Sequence, residues 1–311
     1  MIRVLVLGAA AGGGFPQWNS NSDACRRARA GDPAARPATQ ASIAVSADGL
    51  RWFLINAAPD LREQINRQPQ LHPGEGLRSS PIAGVVLTNG DVDAIAGLLN
   101  LRERTPFVVY GHSRILDVLE RNPIFQVLAP DVVQRSSLAL NERIALSGPD
   151  GTASGLFLEA FSVPGKVALF MEDATQGESF GTEEGDTIGL EITEEAGDAR
   201  LLFIANCAKV DDTVRARCAG ASLLFFDGTL WQDEEMISRG EGQKTGTRMG
   251  HISMSGDEGS IAVLSDLEIE RRVFIHINNT NPALLADSLE REQIEAAGWR
   301  VAYDGMEITL P

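Results

Sequence analysis

The sequence predicts an α+β fold arranged as a four-layer αββα sandwich, with two sheets face to face and helices outside. Three observations carry this. Apolar, β-rich runs alternate with helical periodicity along the chain. Each half is strand-rich first and alternates strand with helix later. No Pro- or Ser-rich linker divides the halves, so residues 1–311 are expected to form one domain, a length that layered folds reach as a unit.

The first run, "IRVLVLG", reads as a buried strand that ends in a glycine cluster. Its apolar part is short, carries one positive charge and enters a glycine turn directly, so it does not read as a signal peptide. "QASIAVS" and "RWFLINAA" are strands joined by the hairpin turn "ADG". "PDLREQINRQ" opens a helix behind Pro59 and Asp60. "IAGVVLTNGD" is strand and loop, "AIAGLLNLRER" helix, "PFVVYG" strand and "SRILDVLER" helix. Strands then dominate: "ERIALS", "LFLEAFSVPG", "TIGLEITEE" and "ARLLFIANCA". The chain closes with helix "VDDTVRARCAG", strand "ASLLFFDGTL", a glycine turn and helix in "GDEGSIAVLSDL", strand "RRVFIHINNT", helix "SLEREQIEAAG" and strand "RVAYDG". Residues 28–38 read as a surface loop.

Composition excludes several functions. A formal net charge of −16 leaves no basic stripe for nucleic-acid phosphate or an anionic membrane surface. No run reaches the roughly 18 apolar residues that span a bilayer. Three sparse cysteines, Cys25, Cys207 and Cys218, suggest no disulfide framework and point to a reducing compartment, so a cytoplasmic location is expected. The sequence leaves the oligomeric state open, with a homodimer among the expectations.

"LGAAAGGGFPQWN" follows a strand, as a dinucleotide-binding turn would. Gly12, Gly13 and Gly14 nevertheless run into Phe15 and Pro16, which open a helix poorly. The preferred reading is a tight loop with close backbone approach at the mouth of a site.

"TNGDVDAIAG" places Asp91 and Asp93 in a loop between a strand and a helix. Its spacing resembles the HxHxDH loop of metallo-β-lactamases, with Asn89 and Asp91 at the first two histidine positions, Asp93 at the aspartate and Ala94 at the last histidine. Both aspartates can reach a cation, for which hard oxygen ligands suit iron, manganese or magnesium. Equally, either can cap the following helix. Of four histidines, His72 and His112 read as ordinary turn residues. His276 follows an apolar strand, and His251 lies in a Gly-rich turn. Each is a metal ligand or a buried ring with a hydrogen-bond partner. Asp227 ends the run "LLFFD", where a buried carboxylate needs a cation or donors. One or two histidines with carboxylates and open positions is the ligand type of non-haem Fe(II) oxygenases.

The stretches "AAGGGFPQWN", "INAAPDLREQI", "TNGDVDAIAGLL", "FDGTLWQDEEM", "GTRMGHI" and "HINNTNP" together resemble the coenzyme PQQ synthesis protein B family, a branch of the metallo-β-lactamase superfamily. They span essentially the whole chain. The resemblance implies the metallo-β-lactamase-like αββα fold and a step in pyrroloquinoline quinone biosynthesis. It implies iron- and O2-dependent hydroxylation of the tyrosine ring of a Glu–Tyr dipeptide derived from the PqqA peptide. On this reading Asp93, His276 and Asp227 are catalytic, and Asp91, Asp93, Asp227, His251 and His276 form the metal shell. Arg248, Lys244, Asn278, Asn279 and Asn281 are the expected donors to substrate carboxylates, although the Asn run reads equally as a self-capped turn. Trp18 or Trp231 either walls the aromatic ring or belongs to the core.

The chain departs from this family pattern. A cysteine cluster after "PQWN" fits a structural zinc in relatives, whereas here Ser20 and Ser22 stand beside Cys25, so that zinc is expected to be absent. Ala94 removes an expected ligand. Lys166 in "VPGK" and Cys207 in "IANCA" occupy positions of a second metal, which is expected to be lost. Two other functions remain open. One is a metal-dependent hydrolase. The other is a metal-poor carrier associated with transport of the quinone.

Overall fold

A computed structural model of the chain describes residues 1–74, 76–195 and 197–311. The strands are β1 (Ile2–Gly8), β2 (Ser42–Ser46), β3 (Trp52–Ile55), β4 (Ile82–Val86), β5 (Phe107–His112), β6 (Val133–Leu138) and β7 (Arg143–Ser147). The second half holds β8 (Ala153–Ser162), β9 (Ile188–Glu194), β10 (Arg200–Ile204), β11 (Leu223–Asp227), β12 (Arg272–Ile275), β13 (Trp299–Val301) and β14 (Glu307–Leu310). They form two seven-stranded sheets, ordered β14-β1-β2-β3-β4-β5-β6 and β13-β12-β11-β10-β9-β8-β7. The predicted αββα sandwich is therefore the observed architecture.

Each sheet is antiparallel first and parallel later. β1, β2 and β3 pair antiparallel, after which β3 to β6 run parallel. β7 to β10 pair antiparallel, after which β10 to β13 run parallel. Central parallel strands are covered on both faces, so they read as continuous apolar runs. β4 is buried at every position, and so is β11 down to its terminal Asp227. The strand-rich edges alternate instead, as β8 does. One apolar core fills the space between the sheets; a second lies under the helices outside β10–β13 and takes in Phe226, Phe274, Trp299 and Trp231.

Two edge strands, β6 and β14, have no counterpart in the sequence reading. β6 ("VQRSSL") is polar and half-exposed, and β14 is four residues long. Short, polar edge strands carry weak periodicity. The predicted helix "AIAGLLNLRER" is also shorter: one α-turn over Val92–Ile95 passes into a 3-10 helix over Ala96–Leu101. The cause is a competing set of backbone hydrogen bonds. Ala57 N–H donates to the carbonyl of Ala94 (2.7 Å), and Gly97 N–H donates to the carbonyl of Ala57 (2.8 Å). These groups are withdrawn from the helix ladder. The segment after Asp93 is thereby clamped to the end of β3.

Gly97 makes this clamp possible. A Cβ there would meet Ala58 O at 2.0 Å and Ala57 O at 2.7 Å, both backbone atoms. Gly97→Ala is expected to cost about 1–3 kcal/mol through forced backbone shifts. Urea denaturation of the variant should show a lowered midpoint with an unchanged slope; an unaltered midpoint would show that the contact is relieved for free.

Candidate metal centre

The site lies where parallel strands of both sheets end. β4 leads into Asp91 and Asp93, β11 ends at Asp227, and β12 leads directly into His276. His276 has a left-handed backbone (φ 61°), unusual for a residue other than glycine. This turn swings the ring off the β12 direction. Gly250, also left-handed (φ 85°), ends the short helix Gly246–Met249 and delivers His251. Ala10 bridges to Gln40 on one side and Ile277 on the other, so the glycine loop ties the two halves together at this rim.

His276 Nε2–H donates to Asp93 Oδ2 at 2.9 Å, joining groups that are 183 residues apart. The rings of His251 and His276 stack with centroids 5.2 Å apart. Asp227, His251 and His276 each bring a donor atom within 4.8 Å of the other two, a triad able to hold an ion. The hydrogen bonds decide which members of this set are free. Asp227 has no exposed surface. Its Oδ1 accepts from the Thr229 amide (3.0 Å) and hydroxyl (2.7 Å). Its Oδ2 accepts from the Cys207 amide (2.8 Å) and from His251 Nδ1 (2.7 Å). A carboxylate has about four lone-pair sites, and all are used. Asp227 therefore stands behind the imidazoles and orients them, while it remains a member of the triad that could hold an ion.

The Thr229 hydroxyl also lies 2.9 Å from His276 Nδ1. Both Nδ1 atoms are thus held from behind; Nε2 of His276 meets Asp93 at the front, and Nε2 of His251 is left for the cavity. Such a carboxylate or hydroxyl behind an imidazole fixes its tautomer and raises its basicity as a ligand. Thr229 was not singled out in the sequence; the signal was its position two residues after a buried strand-end carboxylate.

The cavity in front holds about 820 Å³. Asp91, Asp93, His251, His276, Lys166, Lys244, Asn278 and Asn279 line it, together with Thr229 and Asn206. Electrostatics separates the two aspartates. Burial, then the neighbouring charge of Asp93, pushes the Asp91 carboxyl up. For Asp93, burial acts upward, but the hydrogen bond and charge of His276 outweigh it and hold the carboxyl down. For His276, burial acts downward and Asp93 more than reverses it, so the ring is raised.

Several expected residues lie elsewhere. The Arg248 guanidinium is taken by Glu172 (2.7 and 3.2 Å) and stacks on Phe180 (3.6 Å), and it does not line the cavity. Asn281 is fully buried; its side chain caps Ala283 N–H (2.9 Å) and donates to Gly228 O (3.0 Å), which is the self-capped turn. Trp231 belongs to the outer core, whereas Trp18 is 85% exposed, so neither walls the cavity. Ser22 caps helix Asp23–Arg29 through Cys25 N–H, and the Ser20 hydroxyl donates to Glu241 (3.0 Å). Ala94 is buried in the apolar core, on the helical turn Val92–Ile95. Burial, then the charge of Asp227, pushes the Cys207 thiol well above its usual range, and its Sγ lies 3.2 Å from the Lys209 carbonyl.

The fold and this carboxylate–imidazole rim define a protein of the beta-lactamase superfamily, whose domain family matches residues 51–277. The chain is 57% identical over 309 residues to coenzyme PQQ synthesis protein B of Gluconacetobacter diazotrophicus, covering 99% of this chain and 100% of the relative. It is 55% identical over 313 residues to the protein of that name from Rhodopseudomonas palustris (strain BisB5), covering both in full. The crystal structure of Zn(2+)-bound PqqB from Methylobacterium extorquens matches with a TM-score of 0.93 at 53% identity, over 99% of this chain and 100% of that one. The chain belongs to the coenzyme PQQ synthesis protein B family. Among the described residues, no helix is long and apolar enough to cross a membrane.

Two predictions follow from this geometry. Thr229→Val keeps the side chain's shape and strands its partners, which is expected to cost about 1–3 kcal/mol of stability. It should also weaken metal binding about 10–100-fold, read by competition with a chelator. The second concerns Glu172, which the Arg248 hydrogen bond holds at about 2 against an ordinary 4.5. A depressed carboxyl stabilises the fold above its ordinary value and loses that contribution as pH falls toward its folded value. Between about pH 4.5 and 2 the Tm of Glu172→Gln should therefore fall less steeply than that of the unmodified chain. Parallel Tm profiles would refute it.

Proposed function

We propose that the chain acts in pyrroloquinoline quinone biosynthesis. Its reaction on this reading is iron- and O2-dependent hydroxylation of the tyrosine ring of a Glu–Tyr dipeptide derived from the PqqA peptide. The observation that carries the reading is the pairing of Asp93 with His276 beside a second imidazole whose Nδ1 is already engaged. One carboxylate and two imidazoles facing a cavity is the donor set of a non-haem Fe(II) site with open positions.

Asp93, His276 and His251 would hold the ion, with Asp91 beside them and Asp227 and Thr229 fixing the rings. When bound, Fe(II) supplies the activation of O2 that ring hydroxylation requires. One oxygen atom enters the ring ortho to the hydroxyl and the other leaves as water. Two electrons and two protons come from an external reductant. The chain's own residues orient and balance charge. Leu169, Met236 and Met249 give the cavity apolar wall for an aromatic ring. Lys166, held by Glu172 at 3.2 Å, places a fixed cation on the same cavity. Asp91, whose carboxyl is pushed up, is suited to hold a proton released by the phenol. A second metal is disfavoured, since the Lys166 ammonium is not a ligand and Cys207 does not line the cavity.

The test is metal analysis and turnover of protein purified without oxygen. A single iron per chain, and catechol formed from Glu–Tyr with O2 and ascorbate, is the expected result. Asp93→Asn and His276→Ala should each abolish both. Zinc-loaded protein that hydrolyses an acyl or phosphodiester substrate would replace this reading with a hydrolase. Protein free of transition metal that binds the finished quinone would replace it with a carrier.

A further inference from the structure

The cavity carries a second constellation beside the metal-binding rim, built from the motifs "GFPQWN" and "HINNTNP". It begins at Glu235, a carboxylate that is only 5% exposed. Glu235 Oε2 accepts from the Trp231 amide (2.7 Å), and Oε1 accepts from the Thr280 hydroxyl (2.6 Å). Thr280 has a single proton, and that proton is committed to Glu235. Its oxygen must therefore accept, and Asn278 Nδ2 donates to it at 2.7 Å. This turns Asn278 Oδ1 toward Asn279, whose Nδ2 donates to it (3.3 Å) and to Gln17 Oε1 (2.8 Å). With its oxygen engaged, Gln17 presents Nε2 as a donor, and no acceptor is bonded to it among the described residues. An amide's orientation is set by its network, and here an acceptor-only group anchors that network at one end.

Two cations border the same cavity. The chain has only three lysines, and Lys166 and Lys244 both line it. Lys244 and Arg239, also on the wall, form no ion pair among the described residues. Glu241, on the same cavity, accepts from Ser20 (3.0 Å), while the charges of Glu235 and Glu172 are felt by Arg239 and Lys244 without direct ion pairs among the described residues. In a chain of net charge −16, free cations on a cavity wall need a reason.

We propose that Gln17, Lys244 and Arg239 form a seat for a substrate carboxylate, and that Glu235 is a positioning residue that sets the polarity of the relay ending at Gln17. The inference deepens the peptide-substrate reading and rests on it. Glu235 never touches the substrate. It acts by making the far end of the relay a donor. Glu235→Gln removes that anchor. The Trp231 amide can only donate, so it claims the new carbonyl, and the new amide donates to Thr280. Thr280 then turns its proton toward Asn278, and the relay reverses. The cavity would then receive the carbonyl of Gln17, which repels a carboxylate.

The test is calorimetric titration of the full chain with Glu–Tyr and with its counterpart in which both carboxyls are amidated. The unmodified protein should prefer the free carboxyls by about tenfold or more, the scale of hydrogen bonds to a charged group. Glu235→Gln and Thr280→Val should lose most of that preference while binding the amidated peptide as before. Lys244→Met should lower the preference without touching the relay. A merely structural role would weaken both ligands alike. Should Glu235→Gln fail to fold, Thr280→Val carries the comparison alone. Equal affinity of the unmodified protein for the two peptides, or a preference retained in either relay variant, overturns the proposal. Catechol formation is assayed separately, so a carboxylate preference without hydroxylation sinks the reaction assigned above and leaves the seat standing.

Discussion

Asp227 has no exposed surface and terminates a strand whose other four residues are apolar. A charge so placed must have every acceptor position filled, because removing its partners leaves a buried ion at a cost of about 3–5 kcal/mol. The filling determines the local architecture. The amides of Cys207 and Thr229 fix the backbone after β10 and β11, and the Thr229 hydroxyl and His251 Nδ1 complete the set. Because Nδ1 of each ring is engaged from behind, each ring turns Nε2 forward, where that of His276 meets Asp93. The rim's geometry is thus decided by a group that never faces it.

The same constraint explains the partition of charge. Asp93 and His276 share a proton at 2.9 Å, and each moves the other's titration in the direction that favours the ion pair. A cation and this proton compete for the same two atoms, so the pair is a place where metal binding and protonation are linked. Asp91 is left out of this arrangement and, among the described residues, its side chain accepts only the Leu169 amide (3.0 Å), which is why burial and the charge of Asp93 dominate it. On the same cavity, Lys244 and Arg239 form no ion pair among the described residues.

Much of the fold was legible because buried parallel strands are continuous apolar runs and their ends carry the polar residues. "LLFFD" and "FIHINNT" each announced a strand end with a group that required company. What remained hidden has particular causes. β6 and β14 are edge strands whose pairing comes from neighbours, not from their own pattern. The 3-10 segment after Asp93 arises from Ala57, nearly forty residues earlier in the chain, taking two helix hydrogen bonds. Sequence brought Asp91, Asp93, His251 and His276 to one site; it could not tell a ligand from the group behind a ligand, as with Asp227. Nor could it pair Arg248 with Glu172, since one lies in a one-turn helix and the other at the end of a 3-10 turn, with no shared periodicity.

Ala94 and Lys166 bear on how many ions such a rim can carry. A dinuclear site needs ligands on both sides of a shared oxygen, and most must be imidazole or carboxylate. Here the residue after Asp93 is a buried alanine, and the cavity carries the Lys166 ammonium, tied to Glu172 and close enough to act on Asp91. An ammonium at that position supplies positive charge without an open coordination site. It cannot bridge, deprotonate water or bind O2, but it can offset the negative charge of two aspartates. On the proposed reading, coordination would rest on the atoms around Asp93 and His276, and the remaining cavity would serve to bind and orient the substrate.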